Sequence, residues 1–393
     1  METERIAPDS AAAPDRAGNS ACAGSPWSQR MAESLMRRHT PESARWAYEH
    51  GLMLKAIEQV CLRTGDDRYG RFVKNVIDLF VEPDGAIRTY QLADYNLDQI
   101  NPGKVLFALY RSTGERRYRE ALRLLREQLQ SQPRTRTGGF WHKRIYPYQM
   151  WLDGIYMAAP FLAEYARVFD EPAALDDVAY QILLVGSHAR DARTGLFYHA
   201  WDESKQQRWA HPETGCSPHF WGRAVGWYAM ALVDALDFLS QESPSRGLVL
   251  VLLNRLIQAV LRVQDPATGL WYQVLDQGAR AGNYLEASAS AMFVYAMAKG
   301  VRKGYLPETC LAAARAGFGG LVTRFIHTDD SGLVSLAGTC GGAGLGGDPY
   351  RDGSYEYYVS EPVVLDDYKG SGPFILAALE LEGLGAEDAS SHP

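Results

Sequence analysis

With 393 residues, 46% of them apolar and 22% charged, the chain has ordinary globular composition and enough length to bury a large core. A net charge of −7, from 47 acidic against 40 basic side chains, gives no basic face for nucleic acid or an anionic membrane, so an anionic ligand must be held by a few local cations. The five cysteines are widely spaced without a Cys-x-x-Cys pair, which indicates neither a disulfide framework nor a zinc site.

Residues 1–26, rich in Ala, Ser, Pro and Gly, read as a disordered leader. No basic segment in them precedes an apolar run, so a cytoplasmic location is the default expectation. One helix is expected before Thr40. In Trp46–Leu62, Leu52, Leu54, Ile57, Val60 and Cys61 recur near helical spacing. Similar amphipathic runs follow at Arg71–Phe80, Gly103–Tyr110, Arg119–Leu129, Met150–Phe169, Leu175–His188, Gly226–Leu239, Gly247–Val263, Ala287–Gly300, Glu308–Phe325 and Gly370–Leu381. That makes about a dozen helices, few strands and no membrane-spanning apolar run. Residues 384–393 read as a frayed tail, leaving 27–383 as a single domain.

Two short elements repeat along the chain. Thr64-Gly-Asp-Asp-Arg-Tyr69 matches Thr113-Gly-Glu-Arg-Arg-Tyr118, each between two amphipathic runs. A Gly turn leading into a short aromatic segment recurs at Asp84–Tyr90, Gly138–His142, Asp191–Asp202 and Asp265–Asp276, more faintly at Asp330–Leu333. Helix pairs that cannot bury their own apolar faces must stack on their neighbours. About six such pairs predict an all-α (α/α)6 toroid. An open solenoid is the competing arrangement, but it needs polar terminal caps, and Ile375–Leu381 is strongly apolar.

Polar and aromatic residues concentrate in the links Tyr90–Asp98, Phe140–Asp153, Phe197–Trp227 and Gly338–Lys369, and seven of the nine tryptophans fall between residues 141 and 271. Flat aromatic faces beside carboxylates and guanidinium groups suit a sugar ring. Asp153, two residues after Trp151 and near the start of an apolar helix, is either a helix-terminal carboxylate favoured by the dipole or an acid with a raised pKa. Asp98 has the same character. His142 and His199 each end a copy of the aromatic turn, so ring closure brings both to one mouth. Without any His-x-x-x-His spacing, neither a metal nor a cofactor is expected. The run Gly338–Gly347 lacks Gly-Lys-Ser/Thr and a preceding strand, so it reads as a covering loop and not as a nucleotide cradle.

The motifs Tyr95-Asn-Leu-Asp98, Gly139-Phe-Trp-His-Lys143, Gln149-Met-Trp-Leu-Asp-Gly154, His199-Ala-Trp-Asp202, Phe220-Trp-Gly-Arg223 with Gly226-Trp227, and Asp367-Tyr-Lys-Gly370 carry a resemblance from about Trp46 to Leu381. The chain resembles the unsaturated rhamnogalacturonyl hydrolases, glycoside hydrolase family 105, and more distantly the unsaturated glucuronyl hydrolases. The resemblance implies an (α/α)6 barrel, catalysis by Asp153, and substrate contacts from Tyr48, Asp98, His142, Trp151, His199, Trp221, Arg223, Trp227 and Lys369. It further implies that Arg223 or Lys369 holds the substrate carboxylate. Ala224-Val225 stands where Gly-Asn is a common family form.

The implied chemistry is hydration of an alkene. Polysaccharide lyases leave a non-reducing uronic sugar with a C4=C5 double bond. Protonation of C4 gives oxocarbenium character at C5, water adds there, and the hemiketal opens to expel the neighbouring sugar. A single carboxyl can serve as acid and then as base, so the carboxylate pair used at an anomeric centre is not required. Rival readings are an ordinary inverting glycosidase on saturated oligosaccharides and a non-catalytic sugar-binding protein. The expected partner is a small oligosaccharide, with no nucleic acid, membrane or obligatory protein partner.

Overall fold

The computed structural model describes residues 24–390, so most of the expected leader lies outside the described residues. In chain order the helices are α1 (Trp27–Arg38), α2 (Tyr48–Thr64), α3 (Asp67–Ile77), α4 (Leu106–Thr113), α5 (Arg116–Ser131), α6 (Leu152–Val168) and α7 (Ala173–Ala189). After these come α8 (Gly222–Leu236), α9 (Pro244–Leu261), α10 (Ala287–Arg302), α11 (Cys310–Phe325), α12 (Tyr355–Ser360) and α13 (Tyr368–Ser390). They form an (α/α)6 barrel. The inner ring is α2, α4 with the 3-10 turn before it, α6, α8, α10 and α13, each packed on the next and α13 packed back on α2. Outside lie α3, α5, α7, α9, α11 and α1.

Burial follows this division. Helices α6, α8 and α10 are buried along nearly their whole length, whereas α3 buries the single stripe Tyr69, Val73, Val76 and Ile77. The seam joins the two ends of the chain: the Ser28 amide and hydroxyl both donate to the Glu382 carboxylate, at 3.1 and 2.6 Å. Within α6, Pro160 has no N–H for the Tyr156 carbonyl, and the buried Lys104 Nζ donates to that oxygen instead at 2.7 Å.

Both sequence repeats are corners of the barrel. In the first, Thr64 and Thr113 each donate back to a carbonyl one turn earlier, at 2.8 and 2.7 Å, and accept from the amide two residues on. The intervening Gly65 and Gly114 take φ of 71° and 68°, ending the inner helix in the left-handed conformation that glycine adopts without strain. The second repeat makes small antiparallel turns after each outer helix, such as Arg134 bridged to Phe140 and Arg190 to Phe197. All of these turns lead into inner helices, so they gather at one end of the barrel.

Short strands supply the remaining ladders: β1 (Gln149–Trp151) with β2 (Ala200–Asp202), β3 (Ile326–Thr328) with β4 (Val334–Leu336), and β5 (Thr339–Cys340) with β6 (Val363–Val364), all antiparallel. Three expectations are corrected. The helix predicted from Met150 begins at Leu152, because 149–151 is a strand. The last helix runs to Ser390, past the expected end at Leu381, and Leu381 and Leu384 still pack on the core. Among the described residues α9 is long and apolar enough to cross a membrane by length and composition; here Val249, Leu253, Leu256, Ile257 and Val260 face the barrel wall.

Candidate active site

At the end where the turns gather, a cavity of about 410 Å³ is lined by Tyr48, Asp98, His142, Trp151, Asp153 and Met157, together with Lys143 and Tyr146. Its far wall comes from the segment 342–361, through Arg351, Tyr357, Glu361 and the backbone at Gly342 and Ala343. Among the described residues no group of three or more His, Cys, Asp or Glu is placed to hold a metal.

Asp153 owes its position to the β1–β2 ladder. Trp151 pairs with Ala200, and the Leu152 amide donates to the His199 carbonyl at 3.1 Å. The chain is thus extended up to Trp151 and turns helical at once, leaving Asp153 in the first turn of α6. The same ladder sets the fully buried His199 ring against it, with Nε2 3.3 Å from Asp153 Oδ2. The Nδ1 atom of His199 meets the Tyr358 hydroxyl at 2.9 Å. Burial pushes the Asp153 carboxyl up, but the charge of the adjacent His199 pulls it down, and the net direction is below the usual carboxylate value. The expectation of a raised pKa, from burial or from Asp98, is corrected: the net direction is downward, because His199 outweighs burial.

A second carboxylate group sits beside the first. Lys143 Nζ lies 2.6 Å from Asp98 Oδ2, and His142 Nε2 lies 3.5 Å from Oδ1. Burial drives His142 down to about 4, so its imidazole is neutral at neutral pH. Its ring stacks on Trp151 with centroids 4.7 Å apart and planes 12° apart, and Tyr146 also stacks on Trp151 at 4.9 Å. These rings form a flat wall for a pyranose face, with ionic groups at its margins. Gly154 is required there, because a Cβ on it would lie 2.7 Å from His142 Nδ1.

The other expected contacts sit behind the lining. Trp221 packs on His199 at 4.8 Å and donates through Nε1 to Gln273. Trp227 stacks on Tyr156 at 4.7 Å and meets the Tyr48 ring edge-on at 6.3 Å, so it supports the cavity floor. Arg223, 1% exposed, donates to the Cys340 carbonyl and to Ser288, with Glu286 4.0 Å away. Lys369 is ion-paired with Asp367 at 2.8 Å. Neither Arg223 nor Lys369 lines the cavity; the cations that do are Lys143 and Arg351. Sequence reasoning assigned no role to Lys143, Tyr146, Arg351 or Tyr357, although all four fall in links already marked by their polar and aromatic density. Asp202, in the His199 motif, is wholly buried and accepts from Ser204, Gln206 and Gln207, which makes it a loop anchor.

The sequence profile of Glycosyl Hydrolase Family 88 matches residues 27–384. The chain is 47% identical to a family 105 glycoside hydrolase of C. acetobutylicum ATCC 824, with a TM-score of 0.89 over 91% of this chain and 100% of that one. It is 28% identical to the unsaturated rhamnogalacturonyl hydrolase YesR of Bacillus subtilis over 265 residues, 66% of this chain and 72% of that protein. The fold is shared with an unsaturated glucuronyl hydrolase of Bacillus sp. GL1, at 13% identity and a TM-score of 0.66 over 90% of this chain and 95% of that one.

Proposed function

The chain belongs to the glycosyl hydrolases of families 88 and 105, and from that premise we propose that it removes a 4,5-unsaturated uronic acid from the non-reducing end of lyase-generated oligosaccharides. The preferred substrate is unsaturated galacturonyl-rhamnose, from lyase-cut pectic rhamnogalacturonan. The observation that carries the mechanism is the pairing of Asp153 with the buried His199 at the head of α6, beside a wall of stacked rings. Asp153 is the proton donor to C4 and then the base toward water at C5. A uronate entering the cavity adds a further negative charge and displaces water. Both changes disfavour ionised Asp153, so the carboxyl takes up a proton as substrate binds. Returned to the carboxylate by transfer to C4, it can accept a proton from the attacking water, while Asp98, fixed by Lys143, accepts from a sugar hydroxyl.

Turnover of lyase-generated disaccharides in heavy water tests the reading. Loss of the enoate ultraviolet absorbance, with one deuterium at C4 of the released uronate, is the expected result. Cleavage that leaves C4 unlabelled, or activity on saturated disaccharides only, refutes it.

A further inference from the structure

The substrate class proposed above carries one obligatory charge, the carboxylate on C5, and the expected cations for it are spent elsewhere. Bringing a second carboxylate to Lys143 or Lys369 places it beside Asp98 or Asp367, each already within 3 Å of the ammonium group. Two like charges at one ammonium repel, which offsets much of the gain. Arg351 differs: among the described residues its hydrogen bonds go to neutral acceptors alone. Nε donates to the Gly346 carbonyl at 2.8 Å, and Nη2 donates to the Tyr146 hydroxyl at 3.0 Å and the Leu345 carbonyl at 3.3 Å.

The surrounding segment is built to hold that guanidinium. A Cβ on Gly344 would lie 2.3 Å from Nη1 and 2.8 Å from Cζ, and one on Gly347 would lie 3.1 Å from Nη2, so these two glycines let the backbone close against the charged group. Gly346 and Arg351 exchange backbone hydrogen bonds at 2.8 and 3.2 Å. Leu345 is fully buried in a cluster with Trp151, Ala200 and Trp209, which ties the cradle to the β1–β2 ladder that positions Asp153. The glycine run read from sequence as a covering loop is thus a fixed arginine mount. Nε and Nη2 are taken, Nη1 makes no hydrogen bond among the described residues, and Arg351 lines the cavity.

We propose that Arg351 is the specificity-determining residue that binds the carboxylate of the unsaturated uronate. The proposal rests on the function proposed above, with Arg351 in place of the two cations that the sequence suggested. A pre-oriented guanidinium needs little reordering to take a carboxylate, and it rejects a neutral analogue by leaving its donors unpaired.

The test compares the unsaturated galacturonyl-rhamnose disaccharide as free acid and as its methyl ester, in the wild-type protein and in Arg351→Gln and Arg351→Lys. Wild type is expected to prefer the acid in kcat/KM. Arg351→Gln should compress the acid-to-ester ratio at least tenfold, chiefly through KM on the acid, and Arg351→Lys should recover part of it. Because the ratio is taken within one preparation, loss of folded protein cancels. An unchanged ratio, or an equal loss on acid and ester, overturns the proposal. So does a loss confined to disaccharides whose second sugar is acidic, which would move Arg351 to that sugar. If wild-type protein bleaches neither acid nor ester, the proposed function itself fails, separately from the role of Arg351.

Discussion

Replacing Gly154 by alanine tests whether the ring wall is as rigid as its packing implies. The new methyl carbon would stand 2.7 Å from His142 Nδ1 and 3.2 Å from Leu97 Cδ1, the first about 0.7 Å inside ordinary contact. The imidazole cannot simply retreat, because it is 3% exposed, stacked on Trp151, and directed at Asp98 from 3.5 Å. Overpacking of this kind costs about 1–3 kcal/mol. Alanine recovers up to about 1 kcal/mol of helix propensity, so the clash wins by a modest margin and the barrel still folds. The larger effect is on turnover. Moving His142 alters its 3.5 Å approach to Asp98, and a misplacement approaching 1 Å costs about 10²-fold in rate. Urea unfolding should show a midpoint lowered by the equivalent of about 1–2 kcal/mol, while enoate bleaching falls by one to two orders of magnitude. A variant with wild-type stability and turnover would show that the imidazole is free to slide, and the argument for a rigid wall would be lost.

Asp153→Asn should lower kcat by about three orders of magnitude, the usual weight of a positioned proton donor, while calorimetry still detects disaccharide binding; an active Asn variant ends the assignment. His199→Gln removes the charge that most opposes the effect of burial on Asp153, so that carboxyl's pKa rises and its protonated form survives to higher pH. The descending limb of kcat/KM should move to higher pH, and a limb that stays or moves down contradicts the pairing. Ser28→Ala deletes one of two hydrogen bonds to the Glu382 carboxylate and should cost about 1–2 kcal/mol in denaturant unfolding without altering KM.

Much of the barrel was legible because its corners are local. The Thr-Gly repeats and the Gly-aromatic turns are short-range hydrogen-bond patterns, and two at matching positions already imply a stacked architecture. The lining was legible where it lies beside those corners, as for Asp98, His142, Trp151 and Asp153. Contacts made at a distance were not. The apolar neighbours of Asp153 point to a raised pKa, but the buried His199 that reverses the sign arrives from the next repeat through β1 and β2. Arg223 and Arg351 look alike as letters, and only the tertiary fold shows that one has Glu286 nearby while the other lies among neutral acceptors. Helix α12, six residues long, is too short to leave a periodic trace.

The clasp between Ser28 and Glu382 makes the order of synthesis matter. A ribosome delivers α1 first, yet the helix it must cover, α13, emerges last. Until then the flank of α2 that α13 will occupy stays bare, and Tyr48 at the head of α2 has no complete chamber to face. Stepwise stacking of hairpins can build most of the cylinder during translation, but the mouth becomes competent only when the final staves drop into place. The same geometry makes the molecule a natural subject for circular permutation: a short linker across the clasp, with new ends opened in an outer corner, should leave the chamber intact.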